Sequence, residues 1–426
     1  MSRSVDGSDT TGEAEVSAMV RVLHTADWQI GMTRRYLPPE AQQRFTAART
    51  EVVRRLGALA VEQECDLVVV AGDVFEHSQL TPQTLRRTLE ALREVPVPVY
   101  LLPGNHDHLG PMSIWTSPLL RAELPEHVHV LDTAGVVQVA DGVEIVAAPW
   151  TGKHPVSDPV AGAVGLLPEG PAPEGTVRIV VGHGGIDLLD RDQHNPAPVA
   201  VEPLVAALDH GRVHYVALGD RHSCTQMGDP AIWYSGAPEP TDWREQRPGE
   251  VLVVDVEPGP RGRRGRVQVR PHRVARWTYL ALDARVDSDD DLEALDRKLA
   301  EVPDKERTVV RLGLRGTLGL AQHARLEATL ERHADVLAAL HRPEQHSDVV
   351  LVGDDDLGEL GLGGFLASAL EEIREDAAAV HGTIEGAARA EGLREPAVFR
   401  PGLPDDETSA RDALFLLYRL TQGGPR

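Results

Sequence analysis

The sequence predicts an α/β protein. A four-layer αββα domain is expected over about residues 20–272, a small α/β capping domain over 273–353 and a helical segment over 354–426, behind a disordered tail at 1–19. Three observations lead there. Short β-branched runs alternate with amphipathic helical stretches from Val20 onward, strand-rich sequence takes over after residue 125, and 426 residues exceed what one hydrophobic core accommodates. Two sheets packed face to face with helices outside satisfy the first two observations, and a second unit starting near Arg276 satisfies the third.

The elements follow in chain order. Residues 20–23 read as a strand, and a helix follows at 41–63 with Phe45, Ala48, Val52, Leu56 and Leu59 spaced by three and four. The run at 67–71 is continuous and β-branched, as in a sheet covered on both faces. Thr81-Pro82 occupies the cap and first-turn positions of a helix carrying Leu85, Leu89 and Leu92, and 97–102 is the third strand. Residues 136–139 and 143–147 flank Asp141-Gly142, the signature of a hairpin with a type I′ turn. The Pro/Gly-rich stretch 155–176 reads as a long loop. Strands are expected at 177–181, 213–218, 232–234, 251–256 and 267–269, with a helix at 201–208 that Gly211 ends. The second unit reads strand 277–282, helix 290–302, strand 308–314, helix 321–339 and strand 349–352. Beyond it, Leu366, Leu370, Ile373 and Ala377 form one helical stripe, and 409–421 is apolar nearly all round.

Composition narrows the function. A formal charge of −23 argues against bulk attraction to nucleic acid or to an anionic membrane, although a local basic track is compatible with it. Cys65 and Cys224 are too few for a disulfide framework. The first 18 residues contain no apolar stretch of the kind a secretory leader needs, and no run approaches the ~20 residues of a membrane helix. A soluble, cytoplasmic protein with no membrane partner is the expectation.

The chemistry sits at the ends of the expected strands. Asp27, Asp73, Asn105, His183 and the Asp220/His222 pair each follow an apolar run within a few residues. Loops at the carboxyl ends of strands in α/β sheets converge on one crevice, so these side chains can meet although they lie far apart in the chain. Hard oxygen donors mixed with imidazoles suit a two-metal phosphoesterase centre, in which one carboxylate bridges the ions, and Asp73 is the best bridge. Taken singly, Gly72-Asp73 is ordinary turn chemistry and Asp27 reads as a cap. Gly104-Asn105-His106-Asp107 after a strand is far less common.

The motifs His24-Thr25-Ala26-Asp27-Trp28, Gly72-Asp73-Val74-Phe75-Glu76, Gly104-Asn105-His106-Asp107 and Tyr234-Ser235-Gly236-Ala237-Pro238-Glu239 together resemble the calcineurin-like metallophosphoesterase superfamily, and within it the SbcD-like DNA repair exonuclease subunits. The resemblance covers about residues 20–256 and implies the metallophosphoesterase sandwich fold. It implies two divalent ions, one held by Asp27, Gln29, Asp73 and His222 and the other by Asp73, Asn105, His183 and Asp220. His106 would stand beside the scissile phosphate, and Asp73 and Asp107 complete the expected catalytic set. Gln29 and Asp220 stand where the superfamily usually has histidine. Replacing imidazoles by oxygen donors favours Mn²⁺, with Mg²⁺ the alternative, over Zn²⁺ or iron.

The implied partners are DNA and an SbcC-like coiled-coil ATPase, the latter docking on the C-terminal helices, and a homodimer is left open. For DNA, Arg261, Arg263, Arg264 and Arg266 read equally as a phosphate track or as a solvated hairpin tip, and Arg34, Arg35 and Arg244 lie near motif segments. Trp28 reads as a packing residue, and the segment at Glu76 and His77 as a turn cap beside a solvated ring. Two other functions stay open: a phosphoesterase acting on small nucleotides or phosphoproteins, and a catalytically weak scaffold binding DNA ends or an ATPase.

Overall fold

A computed structural model describes residues 19–188 and 197–352. The expected C-terminal helices, with the stripe at 366–377 and the apolar segment at 409–421, lie outside the described residues, as does the tail at 1–18. In chain order the first elements are β1 (Val20–Thr25), α1 (Pro39–Glu62), β2 (Leu67–Val70), α2 (Pro82–Arg93), β3 (Val99–Leu101), α3 (Pro118–Glu123) and β4 (Val128–Val130). Then come β5 (Gly135–Ala140), β6 (Val143–Ala148), α4 (Pro159–Gly165), β7 (Val177–His183), α5 (Val201–Asp209), β8 (Tyr215–Gly219), β9 (Thr225–Met227), β10 (Asp229–Tyr234), β11 (Glu250–Glu257) and β12 (Arg266–Arg273). The chain ends its described course with β13 (Thr278–Arg285), α6 (Asp289–Ala300), β14 (Thr308–Gly319), α7 (Leu320–Ala334), β15 (Ala339–His341) and β16 (Ser347–Val352). Two compact units divide between Tyr279 and Leu280, a few residues beyond the boundary the sequence suggests.

The first unit contains two six-stranded sheets, ordered β12-β11-β1-β2-β3-β4 and β5-β6-β7-β8-β10-β9. Side-chain alternation builds the layers. Val22, Leu67 and Val69 of one sheet meet Ile145, Ile179, Val181 and Tyr215 of the other in a single buried cluster. The alternate residues Leu23, Val68 and Val70 face Val53, Leu56, Leu85 and Leu89 of α1 and α2. On the far side, Val146, Val180, Val216 and Leu218 pack against Val160 and Val164 of α4 and Leu204 and Leu208 of α5. Helix, sheet, sheet and helix therefore stack as the αββα sandwich, at about 1.5–3 kcal/mol for each fully buried aliphatic side chain.

In the second unit, β14 pairs in parallel with β15 and β16, and β13 lies on the other side in the order β13-β14-β15. Leu292, Leu295 and Leu299 of α6 and Leu326 and Leu330 of α7 cover Leu312, Leu314 and Leu318. Ser288 caps α6 by accepting from the Asp291 amide, ahead of three aspartates in the first turn. No helix among the described residues is long and apolar enough to cross a membrane.

Several local expectations are corrected. The stretch 155–176 contains α4, whose Asp158 carboxylate accepts from the Val160 and Ala161 amides with Pro159 in the first turn. A seven-residue helix is too short to show periodicity, although its cap signal is present. The β5–β6 turn is not type I′. Only Gly142 takes a positive φ, of 70°, while Asp141 does not, and the register shifts between Gln138 and Ala140. The helix expected to reach residue 339 stops at Ala334, and Ala339 instead begins β15. Strand β12 is longer than expected and contains Pro271, which its position at the sheet edge tolerates.

Candidate metal centre

Strands β1, β2 and β3 run parallel, so the segments that carry Asp27, Asp73 and Asn105 leave the sheet side by side. In the facing sheet β7 and β8 are also parallel, with His183 opposite Gly219, one residue before Asp220. The turns are tight. Asp27, Gln29, Asp73 and Asp220 have φ of 52°, 44°, 52° and 95°, and they are four of the seven non-glycine residues in the described chain with positive φ. Each such residue costs on the order of 1–3 kcal/mol, and the surroundings hold it there. The Asp27 amide donates to Gly72 O at 3.0 Å, that of Gln29 to Asp73 O at 2.9 Å, and that of Asp220 to the Asp27 carboxylate oxygens at 3.1 and 3.2 Å. Gly104 lies so close to Asp73 that a Cβ there would stand 2.2 Å from Asp73 Oδ1 and 2.4 Å from its amide nitrogen.

The side chains converge. Asn105 Oδ1, Asp73 Oδ1 and Asp220 Oδ1 lie 3.0, 3.3 and 3.6 Å from His183 Nε2. Asp27, Asp73 and His183, all buried, offer donor atoms that lie within 4.8 Å of one another. His222 Nε2 lies 4.0 Å from Asp27 Oδ1 and 3.0 Å from Gln29 Nε2. Both imidazoles are fixed through their other nitrogen. His183 Nδ1 donates to Ala71 O at 2.8 Å, and His222 Nδ1 donates to Thr241 Oγ1 at 2.7 Å. Each ring thereby turns Nε2 to the cluster, the orientation a metal ligand needs.

The electrostatics call for a cation. Burial, with Asp73 and Asp220 adding to it against the two imidazoles, pushes the Asp27 carboxyl up to about 6. Burial also raises Asp73, but the His183 charge and hydrogen bond and the His106 amide outweigh it, so Asp73 lies below the usual carboxylate range. Burial lowers His183, yet the Asp73 charge and hydrogen bond lift it well above the ordinary imidazole value. The neighbouring carboxylates thus make the His183 imidazole hold a proton more tightly than a free one. No lysine or arginine pairs with Asp27, Asp73 or Asp220 among the described residues, and Gln29 Oε1 is buried with no hydrogen-bond partner. Three carboxylates, two amides and two imidazoles with an orphaned oxygen fit divalent metal ions.

The other expected residues lie around this cluster. His106 stands exposed at the rim, its amide donating to Asp73 Oδ1 at 2.9 Å and its Nδ1 to Glu76 O at 3.0 Å. Asp107, expected in the catalytic set, sits behind the cluster. It is fully buried, and its two oxygens accept from the Gly104 amide at 2.7 Å and the Phe75 amide at 3.0 Å, clasping two motif loops together. Burial pushes its carboxyl up to about 7.

The basic cluster expected as a phosphate track lies away from these residues. Val256 pairs with Val20, so the β11–β12 turn carrying Arg261, Arg263, Arg264 and Arg266 lies at the end of the sheet where β1 begins, roughly 20 Å of strand from Asp27. Arg264 is also engaged by Asp209, at 2.8 Å, and by Asp229. Arg244 is exposed on the loop after β10, near the site, and pairs with Asp242. Trp28 packs in the core, with its Nε1 donating to Thr25 Oγ1.

Sequence reasoning misses three supporting residues. Thr241 and Glu245 stand behind His222: Thr241 Oγ1 donates to Glu245, whose carboxylate also accepts from the Thr241 amide at 3.0 Å. They follow the Tyr234–Glu239 motif by two and six residues, but nothing local signals that the chain there returns to His222. Arg49 is fully buried and donates to Trp28 O at 3.0 Å and Pro240 O at 3.0 Å, tying the first motif to the loop that leads to Thr241. Its signal is present, since an arginine four residues after Phe45 falls on the apolar face of α1.

The chain belongs to the calcineurin-like phosphoesterase family, whose model matches residues 20–250. It is similar to the DNA double-strand break repair protein Mre11 of Archaeoglobus fulgidus, 26% identical over 324 residues, which cover 68% of this chain and 67% of that one. It is 34% identical over 102 residues to the uncharacterized metallophosphoesterase YhaO of Bacillus subtilis, covering 23% of this chain and 24% of YhaO. Over 125 residues it is 34% identical to a subunit of the SbcCD nuclease of Rhodobacter capsulatus, covering 27% of each. The match thus spans about a quarter of the length of the last two relatives.

Proposed function

We propose that this phosphoesterase is a DNA nuclease subunit that hydrolyses phosphodiester bonds with two divalent ions, Mn²⁺ foremost, and works with an SbcC-like ATPase. The observation that carries the reading is the convergence of Asn105, Asp73 and Asp220 oxygens on His183 Nε2. The repair protein and the nuclease subunit among its relatives support DNA as the substrate and the ATPase as the partner. When present, the two ions supply Lewis acidity for attack of water on phosphorus. Asp27, Asp73, Asn105, His183, Asp220 and His222 hold them, with Gln29 contributing a neutral oxygen. The oxygen-rich donor set is what favours Mn²⁺ or Mg²⁺ over softer metals. His106, exposed and fixed through Nδ1, offers Nε2 to a phosphate oxygen and stabilises its charge or protonates the leaving oxygen. In this reading Arg34, Arg35 and Arg244, which adjoin the motif segments, meet the DNA backbone rather than the β11–β12 turn.

The test incubates the full chain with Mn²⁺ and either linear duplex DNA or bis(p-nitrophenyl) phosphate, beside the Asp73→Asn variant. Degradation of DNA that is lost in Asp73→Asn is the expected result. Hydrolysis of the small ester with DNA left intact would overturn the nuclease reading in favour of a small-substrate phosphoesterase. Inactivity on both in the presence of bound Mn²⁺ would instead favour a scaffold.

A further inference from the structure

Two turns beside the His222 end of the cluster each pair an aromatic residue with an exposed arginine. The Leu37 amide donates to Arg34 O at 3.1 Å, which puts Arg35 and Tyr36 at the centre of one turn. Asp242 Oδ1 accepts from the Arg244 amide at 2.9 Å, which folds Trp243 and Arg244 into the other. Tyr36 and Trp243 meet with ring centroids 5.2 Å apart, while Arg35 and Arg244 are exposed.

The two rings end a column that begins in the core. Trp277 and Phe45, both fully buried, pack edge to face at 5.1 Å. Tyr279 follows, 6.4 Å from Phe45 and 5.2 Å from Trp243 between centroids, and its hydroxyl accepts from that of Tyr36 at 3.1 Å. At the outer end Tyr36 and Trp243 are half-buried. Phe45 and Trp277 already close the core, and aromatics make up 4% of the chain, so two rings at turn tips exceed what burial requires. The pair is tied to the candidate metal centre. Arg34 Nη2 donates to Thr241 O at 3.2 Å, and Thr241 Oγ1 stands 2.7 Å from His222 Nδ1. Trp243 lies two residues beyond Thr241, at most about 7 Å along the chain. Gln42 of α1 accepts from the Arg34 amide at 2.7 Å and braces the other turn.

We infer that Tyr36 and Trp243 form a platform on which an unpaired nucleobase of the substrate stacks, with Arg35 and Arg244 meeting the phosphates beside it. The inference rests on the nuclease reading above and names the part of the strand that this rim recognises. Every base has a π-face, so the contact is independent of sequence. A base inside a duplex has both faces covered by its neighbours, so the platform selects a frayed end or a single strand over duplex interior.

The experiment compares a labelled oligothymidine with a strand of equal length and charge that is abasic throughout. Binding is read by fluorescence anisotropy in the Asp73→Asn background, chosen to keep strands intact, and cleavage by the full chain with Mn²⁺. The base-bearing strand is expected to bind more tightly. Trp243→Ala is expected to weaken it by roughly five- to 150-fold and leave the abasic strand unmoved. Trp243→Phe keeps a ring and is expected to retain most of the preference. Tyr36→Ala is expected to act as Trp243→Ala does, and serves in its place should that variant fail to fold. Equal affinity for the two strands, or an equal loss on both in the alanine variants, would overturn the inference. Cleavage without base preference removes the platform and leaves the nuclease reading; base preference without cleavage does the reverse. Failure to bind either strand would remove both.

Discussion

Thr241 Oγ1 stands 2.7 Å from His222 Nδ1 and donates its own proton to Glu245, which is buried behind it. An imidazole backed by a hydroxyl and a carboxylate is held in one tautomer and made a stronger donor at Nε2. Glu245→Gln is therefore expected to weaken Mn²⁺ binding by about 10- to 100-fold, measured by calorimetry, with little change in the metal-free melting curve. Unchanged affinity would show that the relay only fastens the loop.

Gly104→Ala places a methyl within 2.4 Å of backbone and carboxylate atoms of Asp73. Displacing the carboxylate proposed to bridge the ions by about 1 Å is expected to lower turnover by about 10²-fold, read in the small-ester or DNA assay. Wild-type turnover would mean that the Asp73 loop is free to shift.

Asp107 holds two buried backbone amides that nothing else satisfies. Asp107→Ala is expected to cost about 1–3 kcal/mol per orphaned amide in urea denaturation. The variant should also lose activity, because Asn105 rides on the loop that Asp107 clasps.

The basic residues divide by position. Arg263→Ala with Arg266→Ala is expected to leave DNA affinity at the site unchanged, since that turn lies at the far end of the sheet. Arg244→Ala should weaken binding and lower the salt slope by about 1, seen in fluorescence anisotropy across a salt series. The reverse pattern would restore the β11–β12 turn as the DNA track.

The pH dependence follows from the raised groups. Metal needs Asp27 ionised and His183 Nε2 unprotonated, and both are held above their ordinary values, Asp27 at about 6. Protons therefore compete with metal at low pH, and the rise in melting temperature on adding Mn²⁺ should grow from pH 5 to pH 8. In the metal-free protein the sign reverses. A carboxyl raised on folding keeps protons that the unfolded chain has lost, so its contribution to stability declines as pH climbs from about 4 to 6 for Asp27 and to 7 for Asp107. Metal-free stability that rises across this window would contradict the burial of both groups.

Much of this is legible in the chain itself. Continuous β-branched runs mark β2 and β7 because both faces of each are covered, and the motif residues follow the strands because the loops there are shared by one crevice. What escapes is of two kinds. Helices α3 and α4 are six and seven residues long, so they carry caps but no periodicity. The rest depends on register. Nothing local reveals that pairing of Val256 with Val20 sends the Arg261–Arg266 turn to the wrong end of the sheet, or that the loop after β10 returns Thr241 to His222. Arg49 lies between these cases, since its place on an apolar face is visible but its carbonyl partners are not.

The central claim is that Asp27, Asp73, Asn105, His183, Asp220 and His222 surround two metal ions, and anomalous diffraction from crystals grown in Mn²⁺ tests it most directly. The expected result is a pair of manganese peaks ~3.5–4 Å apart on either side of Asp73. A map with no manganese among these residues, in crystals that bind it elsewhere or nowhere, would contradict the claim.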